Sequence, residues 1–250
     1  RAKFAILTLY GRTNYGESPM AFARSQFKTN TSWSLNAALR MIALASTVAI
    51  TAWSGSATAD AGKSLYSSCQ ACHGPQGQGS NAQKSPALAG LSQAYLKRQL
   101  HNFKLGRRGS SAGDTPGAQM RAISATLGDD QAIAELAAYI ATLPPTRPGS
   151  APQGNLRVGN DYYQAKCGAC HGGKAQGNAL LQAPRLSGQD PDYLKRQYEN
   201  FATGVRGAHA DDRLGRQMAF MASRLSKGEL SETQLNDIFA FIYAQDPAAQ

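Results

Sequence analysis

Cys69-Gln70-Ala71-Cys72-His73 and Cys167-Gly168-Ala169-Cys170-His171 are two copies of one C-x-x-C-H pattern, set 98 residues apart in a chain of 250. Together they use all four cysteines of the protein. The pattern is that of covalent c-type haem attachment. The two thiols form thioether bonds to the vinyl groups, and the adjoining histidine is held under the iron as proximal ligand. Cys69, Cys72, Cys167 and Cys170 are therefore the expected attachment residues, with His73 and His171 as proximal ligands. Two competing readings explain less. Two C-x-x-C pairs can form a four-cysteine zinc site, but zinc ribbons space their pairs by tens of residues and need no histidine after each pair. Disulfides suit an exported chain but leave the histidines unexplained.

Working back toward the N-terminus, residues 41–53 (Met-Ile-Ala-Leu-Ala-Ser-Thr-Val-Ala-Ile-Thr-Ala-Trp) form an apolar run. Arg24, Lys28 and Arg40 precede it, and Ala57-Thr58-Ala59 follows as a small-residue exit. This predicts a secretory signal peptide cleaved after Ala59, with an uncleaved membrane anchor as the alternative. The run falls short of the roughly 20 apolar residues that span a bilayer. Met20 opens the signal region, so residues 1–19 read as an over-extended frame. Export agrees with the haem reading, because covalent haem attachment in bacteria takes place outside the cytoplasm.

The formal charge of +10 overstates the basicity of what remains. Residues 60–250 hold 20 basic and 15 acidic side chains, and four haem propionates would lower the balance further. No concentrated basic face suggests nucleic acid. A modest positive surface suits docking to an acidic redox partner.

The same offset of 98 runs through most of the chain, which marks an internal duplication. Pro86-Ala87-Leu88-Ala89-Gly90 matches Pro184-Arg185-Leu186-Ser187-Gly188, and Tyr95-Leu96-Lys97-Arg98-Gln99 matches Tyr193-Leu194-Lys195-Arg196-Gln197 without change. Gly117-Ala118-Gln119-Met120 matches Gly215-Arg216-Gln217-Met218, so from the haem site to the loop after Met the halves align without a gap, and a four-residue insertion around Lys227–Ser231 then precedes the last helix. The expected organisation is an extension and signal at 1–59, one domain at 60–143, a Pro-rich linker at 144–153 and a second domain at 154–250. Each half is small for a self-sufficient core, and an enclosed haem would supply burial.

Helical spacing dominates and no strand alternates convincingly, so the fold class is all-α, twice over. Helices are expected at 92–105 and 190–203, at 131–140 and 231–244, and ahead of each C-x-x-C-H at 62–68 and 158–166. Ser231 and Gln234 have capping-box spacing.

A haem iron with one histidine lacks a second axial ligand. Met120 lies 51 residues after Cys69, and Met218 lies 51 after Cys167. A lone methionine is usually core filler, but this pair obeys the repeat, whereas Met221 faces Ile123 and reads as packing. A thioether favours ferrous iron and fills the site against oxygen, the arrangement for electron transfer. His101 and His209 are unduplicated and read as surface residues. Pro86 and Pro184 are placed to accept the imidazole N–H through their carbonyls. Tyr95 and Tyr193 read as propionate contacts or as core packing. Arg98 and Arg196 read as propionate partners or as a solvated helix face. Arg107, Arg108 and Arg206 lie in Gly-containing loops suited to propionates or a partner.

With P-x-L-x-G, a Y-L-x-x-Q helix, a Gly/Arg loop and an axial Met after each C-x-x-C-H, residues 60–250 resemble the dihaem cytochrome c4 family, a tandem class I c-type cytochrome. The resemblance implies two cytochrome c domains related by an approximate two-fold axis, with propionates meeting near the interface. It implies two covalent haem c groups and the ligand pairs His73 with Met120 and His171 with Met218. It further implies a periplasmic electron carrier, in many members membrane-associated, between the cytochrome bc1 complex and a terminal oxidase. Phe241 in place of Tyr139 and the Lys227–Ser231 insertion depart from strict repetition. Two alternatives remain open at this stage. One is the cytochrome subunit of a periplasmic dehydrogenase, of the flavocytochrome sulfide dehydrogenase type. The other is a dihaem enzyme such as a thiosulfate dehydrogenase or peroxidase, which would need an open or altered axial site.

Overall fold

The computed structural model describes residues 60–248. The expected signal segment and its cleavage point lie outside the described residues. Within them regular structure is helical, and the only extended pairings are two isolated bridges, Ser80 with Ser85 and Asn178 with Ala183. These bridges are themselves repeat equivalents.

The first half contains α1 (residues 60–66), α2 (Gln70–His73), α3 (Gln93–Lys104), α4 (Thr115–Ala125) and α5 (Asp130–Ala141). The second contains α6 (Leu156–Tyr163), α7 (Ala169–His171), α8 (Pro191–Ala202), α9 (Arg213–Arg224) and α10 (Glu232–Ala244). Local chemistry sets the ends. Ser92 and Asp190 cap α3 and α8 by accepting from the Tyr95 and Tyr193 amides. Ser231 and Gln234 close a full capping box on α10. Ile133, Leu136, Ala137 and Ile140 recur at helical spacing and form the buried face of α5.

In each half the entry helix crosses the terminal helix at a glycine. A Cβ on Gly62 would lie 2.3 Å from the Glu135 carbonyl oxygen, and one on Gly159 would lie 2.0 Å from that of Asp237. Only hydrogen fits there, so the backbones pack directly. Around these crossings sit two cores. Tyr66, Leu91, Leu96, Leu136 and Ile140 build the first. Tyr163, Leu194, Leu225, Ile238, Phe239 and Phe241 build the larger second.

The two approaches to the cysteines differ by one residue. Tyr66 and Tyr163 are equivalent, since their hydroxyls donate to the carbonyls of Gly74 (2.6 Å) and Gly172 (2.8 Å). Cys69 follows Tyr66 by three positions, whereas Cys167 follows Tyr163 by four. The extra residue is absorbed as a π-helical turn over Gln164–Gly168, the usual signature of a single insertion in a helix.

The sequence reading placed a Gly/Arg loop before each methionine. Those loops are present, at 105–114 and 203–212, and both methionines stand on the helices that follow, α4 and α9. Asp114 and Asp212 cap them, each accepting from a glycine amide at 3.0 Å, Gly117 and Gly215. The insertion at Lys227–Ser231 is a turn, with non-helical backbone at Lys227 and Gly228. Residues 144–153 are not helical, and they pack on the end of α10 through Arg147 to the Gln245 carbonyl (2.8 Å) and Tyr243 to the Gly149 carbonyl (3.1 Å). No helix among the described residues is long and apolar enough to cross a membrane.

Candidate haem sites

A cavity of about 410 Å³ opens in the first half, and Cys69, Cys72, His73 and Met120 all line it. α2 carries His73 into the interior, where it is 5% exposed. Its Nδ1 lies 3.0 Å from the Pro86 carbonyl oxygen. A carbonyl only accepts, so Nδ1 bears the hydrogen and Nε2 keeps its lone pair. His171 repeats this on the Pro184 carbonyl at 2.9 Å. Burial lowers the pKa of both histidines against the opposing pull of these hydrogen bonds. Each imidazole is thus neutral, orientated and left with one nitrogen to give, the condition for a metal ligand.

All four cysteines are unpaired. Burial raises the Cys69 thiol, and burial with the neighbouring Cys170 pushes Cys167 up to about 12. Among the described residues no group of three or more His, Cys, Asp or Glu side chains could hold a metal ion. The two C-x-x-C pairs are not brought together into one four-cysteine cluster. Met120 and Met218 sit one per half, half-buried, on the equivalent helices α4 and α9. Met221 is exposed rather than packed, at 40%.

The remaining duplicated residues meet between the halves. Arg108 donates to Gln99 of its own half (2.7 Å) and to Gln197 (2.9 Å) and Tyr193 (3.3 Å) of the other. Arg206 mirrors it, donating to Gln197 (2.7 Å), Gln99 (3.0 Å) and Tyr95 (3.1 Å). Each offset of 98 in sequence thus becomes a two-fold operation in space. Burial alone would raise the Tyr95 phenol, but Arg206 and Arg108 outweigh it and hold its pKa below the usual value. Gln189 adds a contact outside the repeat, its amide bonding both the N–H (3.1 Å) and the carbonyl (2.5 Å) of Ala87. Arg107 reaches Asp211 across the halves at 3.5 Å.

The comparisons follow this duplication. The family model for cytochrome c matches twice, over residues 59–144 and 157–245. Cytochrome c4 of Azotobacter vinelandii is 33% identical over 187 residues, covering 71% of this chain and 85% of that one. The crystal structure of reduced recombinant cytochrome c4 from Pseudomonas stutzeri superposes with a TM-score of 0.57 at 26% identity, covering 75% of this chain and 98% of that one. The chain belongs to the dihaem cytochrome c4 family. A protein of Thiomonas intermedia called a thiosulfate dehydrogenase electron acceptor is also similar, at 31% identity over 67% of this chain and 78% of its own.

As a cytochrome c4, the protein carries two covalently bound haem c groups, works as a dihaem electron carrier and exchanges electrons with redox partner proteins. The residues fit the group: an apolar cavity holds two adjacent thiols, an orientated imidazole and a thioether. Pro86 and Pro184 accept from the imidazoles as the sequence suggests, whereas Arg108 and Arg206, read from sequence as propionate or partner contacts, bond to glutamine and tyrosine side chains between the halves. Sequence reasoning did not single out Gln99 and Gln197, although their exact duplication was a signal. Arg98 and Arg196 were open between propionate partners and a solvated face, and the structure turns both toward the other half.

Proposed function

We propose that this cytochrome c4 is a periplasmic carrier that takes electrons from a respiratory donor of the cytochrome bc1 type and delivers them to a terminal oxidase. In this reading Cys69 and Cys72 attach one haem and Cys167 and Cys170 the other. His73 and Met120 are the axial ligands of the first, His171 and Met218 those of the second. Residues 60–143 and 154–250 are the two cytochrome domains, 144–153 the linker, and 1–59 the export segment removed after Ala59.

The observation that carries the reading is the matched pair of orientated histidines, each with Nδ1 tied to a proline carbonyl and each accompanied by a methionine at the same repeat position. When bound, the haem supplies the Fe(III)/Fe(II) couple. The chain does the rest. Its prolines fix the imidazole rings, and its methionine sulfurs favour the reduced state. With His and Met both bound to each iron, no position would be left for oxygen or peroxide, which would argue against the enzyme alternative. The apolar lining of the cavity would exclude water from a bound haem, and the interface network ties the two halves together.

Similarity to the Thiomonas intermedia protein supports a second reading, in which the donor is a thiosulfate dehydrogenase. Stopped-flow mixing separates the two. The first predicts rapid reduction by a quinol-loaded bc1 complex and rapid reoxidation by a terminal oxidase. Slow exchange with both, together with rapid reduction by a thiosulfate dehydrogenase and its substrate, would favour the second.

A further inference from the structure

Arg98 on α3 and Arg196 on α8 are repeat partners with an unusual shared geometry. Each guanidinium stacks over the tyrosine one turn earlier on its own helix, at 5.3 Å from the Tyr95 centroid and 5.4 Å from the Tyr193 centroid. Each then reaches into the opposite half. Arg98 Nη2 donates to the Gln182 carbonyl and Arg196 Nη2 to the Lys84 carbonyl, both at 2.8 Å. Lys84 and Gln182 are themselves 98 residues apart and hold left-handed backbone, with φ of 53° and 55°. A non-glycine residue adopts this conformation at a cost, so its recurrence at both acceptors marks a position the fold maintains.

Both arginines also leave a donor unused. Nε of Arg98 and Nε of Arg196 are buried without a hydrogen-bond partner. Neither side chain forms an ion pair among the described residues. A buried cationic donor without an acceptor is costly and points to an anion. The position of Arg196 identifies it: with Tyr193 and Gln197 it lines the cavity of the first half, beside Lys84. The carboxylates of a haem seated on Cys69, Cys72 and His73 are the anions available there.

We infer that each haem site is completed in trans: Arg196 of the second half binds a propionate of the first haem, and Arg98 of the first half binds a propionate of the second. The inference rests on the haem ligation proposed above. In consequence the charge state of one half's helix tunes the iron of the other half, and the halves are coupled electrostatically as well as mechanically. A guanidinium beside a propionate opposes the positive charge of ferric iron, so it raises the potential of the haem it touches.

The test uses the holoprotein in a background that labels the haems. Met218→His converts the second haem to bis-histidine ligation and separates its potential and spectrum from those of the first. If this background shows no low-potential centre, the ligand reading fails before any arginine is changed. In it, Arg196→Gln is expected to shift the remaining methionine-ligated haem severalfold toward the oxidised form at fixed ambient potential, with little change in the labelled haem. Arg98→Gln is expected to shift the labelled haem instead. Arg196→Lys, which keeps the charge, is expected to restore most of the first haem's potential. Overturning results are a shift confined to the haem of the arginine's own half, equal shifts of both haems, or unchanged potentials with full haem content. The last would reduce both arginines to clasps between the halves.

Discussion

The two halves reach the same site by different routes. In the first, three positions separate Tyr66 from Cys69, and the core beneath the terminal helix is modest, with Ala137 and Tyr139 on α5. In the second, four positions separate Tyr163 from Cys167, a π-helical turn takes up the surplus, and Phe239 and Phe241 fill the equivalent places on α10. The chemistry downstream is nevertheless held within a tenth of an ångström, with histidine Nδ1 to proline carbonyl distances of 3.0 and 2.9 Å. The comparison teaches that helix phase and core volume vary freely, whereas the backbone that presents the imidazole does not. The repeat pairs that build the interface network, Gln99 and Gln197, Arg108 and Arg206, are also identical, because each arginine bonds a glutamine of its own half and one of the other.

The largest effect expected tests whether the sites are equivalent. Replacing both cysteines of one pair, Cys69→Ser with Cys72→Ser or Cys167→Ser with Cys170→Ser, should remove covalent attachment of one haem and spare the other, so intact mass of the denatured protein should show a single haem in both double variants. Next comes the unequal core. Phe239→Ala should destabilise the second half by about 4 kcal/mol, read by denaturant unfolding, and the first half already carries alanine at that position. The helix crossings should behave alike: Gly62→Ala and Gly159→Ala each drive a Cβ into a backbone carbonyl and should each cost about 3 kcal/mol. A large difference between them would break the equivalence of α1 and α6. The smallest effect concerns the insertion, which exists in one half only. There the hydrogen bonds from Lys166 and then from Arg224 lower the pKa of exposed Glu229. A lowered folded-state pKa gives stability that is present above the unfolded value and is lost as pH falls through the folded one. Glu229→Gln should therefore remove a small, salt-screened part of the acid-side loss of stability, seen in thermal melts across that range.

Much of this was legible before any coordinates. The proline that holds each histidine and the capped terminal helices carry local signals, and the structure shows both: Pro86 and Pro184 on the imidazoles, Asp129 and Ser231 at the helix starts. The helices bearing Met120 and Met218 were not legible. In α4 the first turn, Thr115-Pro116-Gly117, holds two residues that usually break helices and only a weak apolar face follows, whereas α9 does carry Leu214, Met218, Met221 and Leu225 at helical spacing, a signal that was missed. The signal shared by both was the aspartate three positions before a glycine, joined in α4 by a proline inside the first turn. Arg98 and Arg196 were ambiguous for another reason. Tyr-Leu-Lys-Arg-Gln has the polarity of a solvent face, and only a second copy of the same helix nearby turns it into an interface. The one-residue slip between Tyr66 and Tyr163 was invisible because the cysteines themselves stay in register.

The central claim is that the two halves hold chemically matched His/Met haems. A spectroscopic redox titration of the purified holoprotein tests it most directly, following the weak far-red ferric band that thioether ligation produces. The account predicts two centres, both showing that band and both titrating at positive potentials. A centre that lacks the band and titrates at low potential, or that binds carbon monoxide, would contradict it.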